Sequence, residues 1–124
     1  MIPPLSCYRY DDVLRDLARA RLSNFVRTAQ PLGELRAAAV AVVITADNGE
    51  ASVLLTRRAS SLRAHSGQWA LPGGRIDEGE RVEEAALREL SEEVNLELPE
   101  TAVLGLLDDY STRSAYRITP VVVW

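Results

Sequence analysis

Between Gly74 and Leu96 the chain reads GRIDEGERVEEAALRELSEEVNL, and this stretch constrains the fold more than any other. From Val82 to Val94 it holds no Pro or Gly and is rich in good helix formers, so it predicts a helix. At about 100° per residue, Val82, Ala86, Leu87, Leu90 and Val94 fall on one apolar stripe that must face a core. Glu89, Glu92 and Glu93 fall on a neighbouring arc, because positions three and four apart share a helix surface. Small Ala85 lies on that arc one turn earlier. Three crowded carboxylates repel one another and weaken the helix. Something must offset that cost; a divalent cation is the natural candidate, and hard oxygen donors of this kind suit Mg²⁺ or Mn²⁺.

The spacing is more specific than an acidic helix requires. Gly74 is followed by Glu80, then Arg88-Glu89-Leu90, Glu92-Glu93 and Leu96. This pattern resembles the box of the Nudix hydrolases, G-x5-E-x7-R-E-U-x-E-E-x-G-U, with U a bulky aliphatic residue. An acidic amphipathic helix with a solvated face would explain neither the preceding Gly73-Gly74 loop nor Arg88. One position departs from the box: Asn95 stands where glycine is usual. That position is expected to end the helix in a left-handed conformation, which Asn tolerates better than most residues.

A second pattern lies just upstream. The segment 57–70, RRASSLRAHSGQWA, carries Arg57, Arg58 and Arg63 with His65 and Gln68. Guanidinium forks match phosphate oxygens two at a time. Leu54-Leu55-Thr56, Arg58-Ala59, Arg63, Gly67 and Pro72-Gly73-Gly74 resemble the signature of Nudix members that cleave coenzyme A, L-L-T-x-R-[SA]-x3-R-x3-G-x3-F-P-G-G. Leu71 replaces Phe there, which keeps an apolar plug and changes its shape. The later stretch Thr112, Ser114, Tyr116 and Ile118 to Val121 is similar to the same group, with Ala115 in place of a usual glycine. Trp69 and Leu71 are expected to pack this loop on the core, with base stacking as the rival role for Trp69.

Charge and composition remove several alternatives. The chain has 14 arginines and no lysine, which excludes Schiff-base lysine chemistry and a P-loop lysine. Cys7 is the only cysteine, so there is no internal disulfide and no multi-cysteine zinc site; a reducing, cytoplasmic setting is expected. Residues 77–100 hold ten acidic residues and two arginines, while the remainder holds eight and twelve. An acidic patch beside an arginine-rich remainder fits a metal plus an anionic small molecule. Nucleic-acid binding calls for a basic stripe and a high pI, whereas this pI is about 5.0. No apolar run is long enough to span a membrane.

The rest of the chain reads as an α/β domain. Residues 1–35 are expected to form an arm and one helix, from Asp11 to about Arg27, with Val13, Leu14, Leu17, Ala20 or Arg21, and Phe25 along one side. Its predicted role is packing outside the catalytic core, with a homodimer contact as the rival. Arg36 to Thr45 predicts a buried strand, Asp47-Asn48-Gly49 a hairpin turn, and Ala51 to Thr56 the returning strand. Ala102 to Leu107 and Tyr116 to Trp124 predict two more strands around a polar loop, 108–114. Pro120 is expected at an edge or a bulge.

The resemblance implies a Nudix-type α/β/α sandwich with a mixed sheet over residues 36–124. It also implies that relatives continue past Trp124 and cover the second sheet face with a further helix, so a truncated C-terminus is expected here. By resemblance, Glu89, Glu92 and Glu93, with the Gly73 carbonyl, ligate Mg²⁺ or Mn²⁺. Glu89 is the candidate to accept a proton from water. Glu80 and Arg88 form a supporting ion pair, and Arg58, Arg63, His65 and Gln68 meet substrate. The implied reaction is metal-dependent hydrolysis of a pyrophosphate bond, with coenzyme A or an acyl-CoA giving 3′,5′-ADP and 4′-phosphopantetheine. A pyrophosphatase for ADP-ribose, dinucleotides or oxidised nucleotides is one alternative, and a non-catalytic nucleotide-binding module is another.

Overall fold

Small and β-branched side chains alternate through Arg36–Asp47, and this long strand becomes the axis of a mixed sheet. The computed structural model describes residues 8–57 and 69–124. In order they form α1 (Asp12–Asn24), β1 (Arg36–Asp47), β2 (Glu50–Val53), β3 (Thr56–Arg57), β4 (Trp69–Ala70) and β5 (Gly73–Arg75). Then come α2 (Val82–Val94), a 3₁₀ turn at Glu100–Ala102, β6 (Val103–Leu106), β7 (Tyr110–Ser111) and β8 (Tyr116–Val123). No helix among the described residues is long and apolar enough to cross a membrane.

The sheet runs β2-β1-β8-β6, with β1 and β8 parallel and the other pairs antiparallel. One edge of β1 serves two partners. It pairs with β5 at Ala38–Val40 and with β2 at Ile44–Asp47. That division shortens the returning strand expected over Ala51 to Thr56. β2 ends at Val53, and Thr56–Arg57 pairs instead with Trp69–Ala70 in a separate two-stranded ladder.

Residues Ala39, Ala41 and Val43 of β1 point to one face with Val121 and Val123 of β8, and α2 covers them through Ala85, Ala86 and Leu90. Small faces small across this interface: Ala39, Ala41, Ala85 and Ala86 are all fully buried. Alanine on both sides lets the helix lie close to the sheet, which carries its later carboxylates up to β5. Val82, Leu87 and Val94 pack at the margin of the cluster. Ala85, read from the wheel as part of the carboxylate arc, therefore belongs to the core. The helix ends on Asn95 at φ 55°, in the left-handed region.

The N-terminal helix lies over the opposite face. Its Leu22 packs against Gly105 of β6, which pairs with Val122, and its Leu14 lines a cleft with Ile44 and Val53. The second face, expected to be bare within this chain, is thus partly covered from the N-terminal side. Coverage is thin: no α1 residue is fully buried, and Val13 stays 77% exposed. Asp11 caps the helix by accepting from the Leu14 N–H at 2.9 Å. The helix stops at Asn24, short of the expected Arg27. Arg27 and Thr28 are extended instead, bonded to Leu107 and Asp108 on the far side of the sequence. Tyr10 stacks on Trp124 with ring centroids 4.3 Å apart.

Pro120 sits in β8, which has neighbours on both sides, rather than on an edge. Its carbonyl accepts from the Leu107 N–H, so the side from which its own N–H is missing faces the gap between β6 and β7. No ladder donor is lost there.

The turn before β8 stores strain. Ala115 has φ 69°, and its N–H donates to the Thr112 carbonyl at 3.1 Å. An L-residue in this region costs roughly 1–2 kcal/mol, part of which glycine returns through its freer unfolded chain. Ala115→Gly is expected to stabilise the fold by about 0.5–1 kcal/mol. The check is a higher denaturant midpoint at unchanged slope. A lower midpoint would mean that the methyl group contributes more than the strain costs.

Candidate active site

The site is built where α2 passes under β5. A turn at Asp77 to Glu80, with Gly79 at φ 80°, folds the chain back so that Glu80 meets the helix. Glu80 Oε1 accepts from the Asp77 N–H at 3.0 Å, which fixes the turn. Arg88 then reaches back from α2. Its Nε donates to Glu80 Oε2 at 2.8 Å and its Nη2 to Oε1 at 3.1 Å, a two-point contact. Nη2 also donates to the Arg75 carbonyl at 3.0 Å, and Nη1 to Glu89 Oε1 at 3.0 Å and Glu92 Oε2 at 3.3 Å. One guanidinium thus ties the loop, β5 and two carboxylates together. The Arg88 hydrogen bond holds Glu80 below the usual carboxylate range against the opposing effect of burial. The same partner, with help from Glu89, raises Arg88 further above its ordinary value.

Glycine is required where the helix meets the strand. A Cβ on Gly74 would stand 2.4 Å from Glu89 Oε1. Without it, the Glu89 carboxylate lies directly under the backbone of β5, largely shielded from solvent. Gly73 is the other close approach. Its N–H donates to Glu93 Oε2 at 3.2 Å rather than to β1. In an antiparallel pair the N–H and carbonyl of one residue point the same way, so the Gly73 carbonyl also faces the side where Glu93 lies.

Glu89 and Glu93, then, meet the glycine strand, while Glu92 is more exposed and turns toward Arg88. Among the described residues no three carboxylates yet converge on one point. The donor chemistry fits a hard divalent cation: carboxylate oxygens from successive turns beside a backbone carbonyl that has no partner in the ladder. Arg58, Arg63, His65 and Gln68 lie outside the described residues. The residues flanking that stretch are described: Thr56 and Arg57 pair with Ala70 and Trp69, and Thr56 Oγ1 donates to the Ala70 carbonyl at 3.1 Å. Trp69, expected to pack on the core, is 66% exposed with the Arg57 guanidinium 6.0 Å from its ring centre.

On the other face of β5 lies a cleft of about 470 Å³, lined by Ala38, Val40, Leu71, Arg75, Tyr116 and Ile118 among others. Of its polar members, Ser114 and Tyr116 fall in the later stretch that resembles the coenzyme A group, whereas Arg75 carries no signal in the sequence that would mark it. Their position follows only from the pairings of β5 and β8 with β1.

A family model for the Nudix domain matches residues 35–123. The chain belongs to the Nudix family. It is 43% identical over 94 residues to a protein of Pectobacterium atrosepticum described as an uncharacterized Nudix hydrolase NudL, covering 75% of this chain and 48% of that protein. It is 34% identical over 113 residues to Nudix hydrolase 3 of Caenorhabditis elegans, covering 90% of this chain and 47% of that one. The chain thus spans about half the length of these relatives. A MutT/nudix family protein from Enterococcus faecalis has the same fold, with a TM-score of 0.58 at 20% identity over 92% of this chain and 43% of that one. The Nudix fold, an α/β arrangement with a mixed sheet between helices, is therefore common to this chain and its relatives.

Proposed function

We propose that this Nudix domain hydrolyses a pyrophosphate bond in a nucleoside diphosphate derivative, with coenzyme A or an acyl-CoA as substrate. Residues 36–124 form the hydrolase domain in this reading, and residues 1–35 its N-terminal cover. The observation that carries the reaction is the junction of α2 with β5, where Glu89 and Glu93 meet the two glycines of that strand, Gly74 and Gly73. Coenzyme A as substrate is supported by the signature from Leu54 to Gly74. The residues flanking that signature's arginine-bearing segment pair with each other in the β3–β4 ladder, which ends three residues before Gly73.

Glu89, Glu92 and Glu93, with the Gly73 carbonyl, supply oxygen donors for Mg²⁺ or Mn²⁺. When bound, the cation neutralises charge on the phosphate oxygens and lowers the pKa of coordinated water. Glu89 is oriented by Arg88 and shielded by Gly74, which suits it to take the proton from the attacking water. Arg88 and Glu80 keep the helix and loop in register and do not touch substrate. Bare backbone at Gly73 and Gly74 lets a pyrophosphate approach without steric conflict. Arg58, Arg63, His65 and Gln68 are assigned to the substrate's phosphates and flanking groups.

The test is a substrate panel of coenzyme A, ADP-ribose and a dinucleoside polyphosphate, each incubated with the purified chain and Mg²⁺. Release of 3′,5′-ADP and 4′-phosphopantetheine from coenzyme A is the expected result. Cleavage of ADP-ribose alone would move the substrate and keep the reaction. Silence on the whole panel, with both Mg²⁺ and Mn²⁺, would sink the catalytic reading for this chain.

A further inference from the structure

The three residues of β5 present different chemistry to the two faces of the sheet. Gly74 opens toward Glu89 on the α2 side. Side chains alternate along a strand, so Gly73 and Arg75 open toward the opposite face. Gly73 adds no side chain there, where a Cβ would fall 2.8 Å from Val40 Cγ1; the residue lines the cleft while its N–H bonds Glu93. Arg75 does project, and it lines that cleft. Its backbone carbonyl is held by Arg88, so the guanidinium that orients Glu89 also fixes the base of the Arg75 side chain. The Arg75 side chain is exposed and forms no ion pair among the described residues.

Around it the cleft is mostly apolar. Ala38, Val40, Leu71 and Ile118 form its floor and wall, and Tyr116 and Ser114 stand at its polar end. That end is rigid. Ser114 Oγ and Thr112 Oγ1 are 3.0 Å apart, and Thr112 Oγ1 accepts from the Tyr116 N–H at 3.2 Å. The volume is within the usual range for a small-molecule site. A mostly apolar lining with one positioned cation that forms no ion pair among the described residues suits a nucleoside that carries an anion of its own.

We propose that Arg75 is a specificity-determining residue. The cleft takes the nucleoside half of the substrate, and Arg75 binds a phosphate on that half in addition to the scissile pyrophosphate. This rests on the reaction proposed above and adds a residue that the signature does not contain. It selects coenzyme A, which bears a ribose 3′-phosphate, over its 3′-dephospho form.

Binding tests it without turnover. Titration calorimetry of the metal-free chain with 3′,5′-ADP and with 5′-AMP is expected to show the bisphosphate bound roughly 10–100-fold more tightly, the scale of a charge-assisted contact. In Arg75→Gln that ratio should collapse to about one, and Arg75→Lys should restore part of it. A wild-type ratio near one, a ratio unchanged in Arg75→Gln, or no binding of either nucleotide would overturn the proposal. A preserved binding ratio in a chain that leaves coenzyme A intact would instead locate the failure in the proposed reaction. Where coenzyme A is cleaved, the ratio of kcat/KM for coenzyme A over 3′-dephospho-coenzyme A should fall in Arg75→Gln by the same factor.

Discussion

Glu93→Gln is expected to lower turnover by roughly 10²–10⁴-fold while leaving the fold intact. The side chain is exposed on α2 and its carboxylate accepts from the Gly73 N–H at 3.2 Å. An amide of the same size can still accept that hydrogen bond, so the change in stability should stay within about 0.5 kcal/mol. What the substitution removes is charge. In the proposed site, a divalent cation would lose one anionic ligand, and with it both affinity and the stabilisation of charge on the phosphate oxygens. Rates should be compared with a thermal melt of each protein, so that lost folding is not read as lost chemistry. Near wild-type turnover would reduce Glu93 to a structural clasp on β5.

The largest expected loss of stability comes from Asp109→Ala. Asp109 is 5% exposed and lies in a stretch that reads as an ordinary polar loop. Its Oδ1 accepts from Thr119 Oγ1 at 2.6 Å and from Arg27 Nη2 at 2.5 Å, and its Oδ2 from the Gln30 N–H at 3.0 Å. Removing the carboxylate strands a buried hydroxyl, a backbone N–H and a guanidinium together, which costs about 3–5 kcal/mol. It also loosens the segment after α1 from the sheet, since Arg27 and the Gln30 N–H lose their shared partner and only the bond from the Gln30 side chain to the Asp109 backbone carbonyl remains. Urea unfolding at pH 7 measures this directly. A loss under 1 kcal/mol would mean that solvent replaces the network.

The same residue predicts a pH dependence. Burial raises the Asp109 pKa, but the hydrogen bonds from Thr119, Gln30 and Arg27 outweigh it and hold the group below its ordinary value. The folded state therefore favours the ionised form. Its stabilisation is complete above the unfolded carboxylate pKa, about 3.9, and is lost as pH falls through the lower folded value. Asp109→Asn keeps the shape and loses the charge. The stability gap between wild type and Asp109→Asn should be constant from neutral pH to about 5 and shrink below about 4. A gap that does not change in acid would show that Asp109 is not the group responsible.

Much of the catalytic element is legible from residue order alone. The helix over Val82–Val94 and the left-handed Asn95 are local events, set by propensity, periodicity and backbone sterics within a few residues. The strand beginning at Arg36 and the turn at Asn48-Gly49 are of the same kind. Family resemblance supplied the roles proposed for Glu80, Arg88 and the three carboxylates, because fixed spacing survives where pairwise contacts cannot be read.

Other features depended on partners far along the chain. Ala85 belongs to the core because Ala39 and Ala41 leave room for a helix to settle there. Pro120 is tolerated inside the sheet because β6 stops before β7 begins. α1 covers the second face because Gly105 admits Leu22. The sequence by itself determined the reactive helix, its stop and the residue types offered to a cation and a phosphate, since short-range geometry decides these. Only the tertiary structure decided that Asp109 is buried against Arg27, 82 residues away, and that Arg75 faces a cleft while its neighbour Gly74 faces Glu89. Burial and facing are properties of the pairing between strands, and no local pattern encodes which strand will be the neighbour.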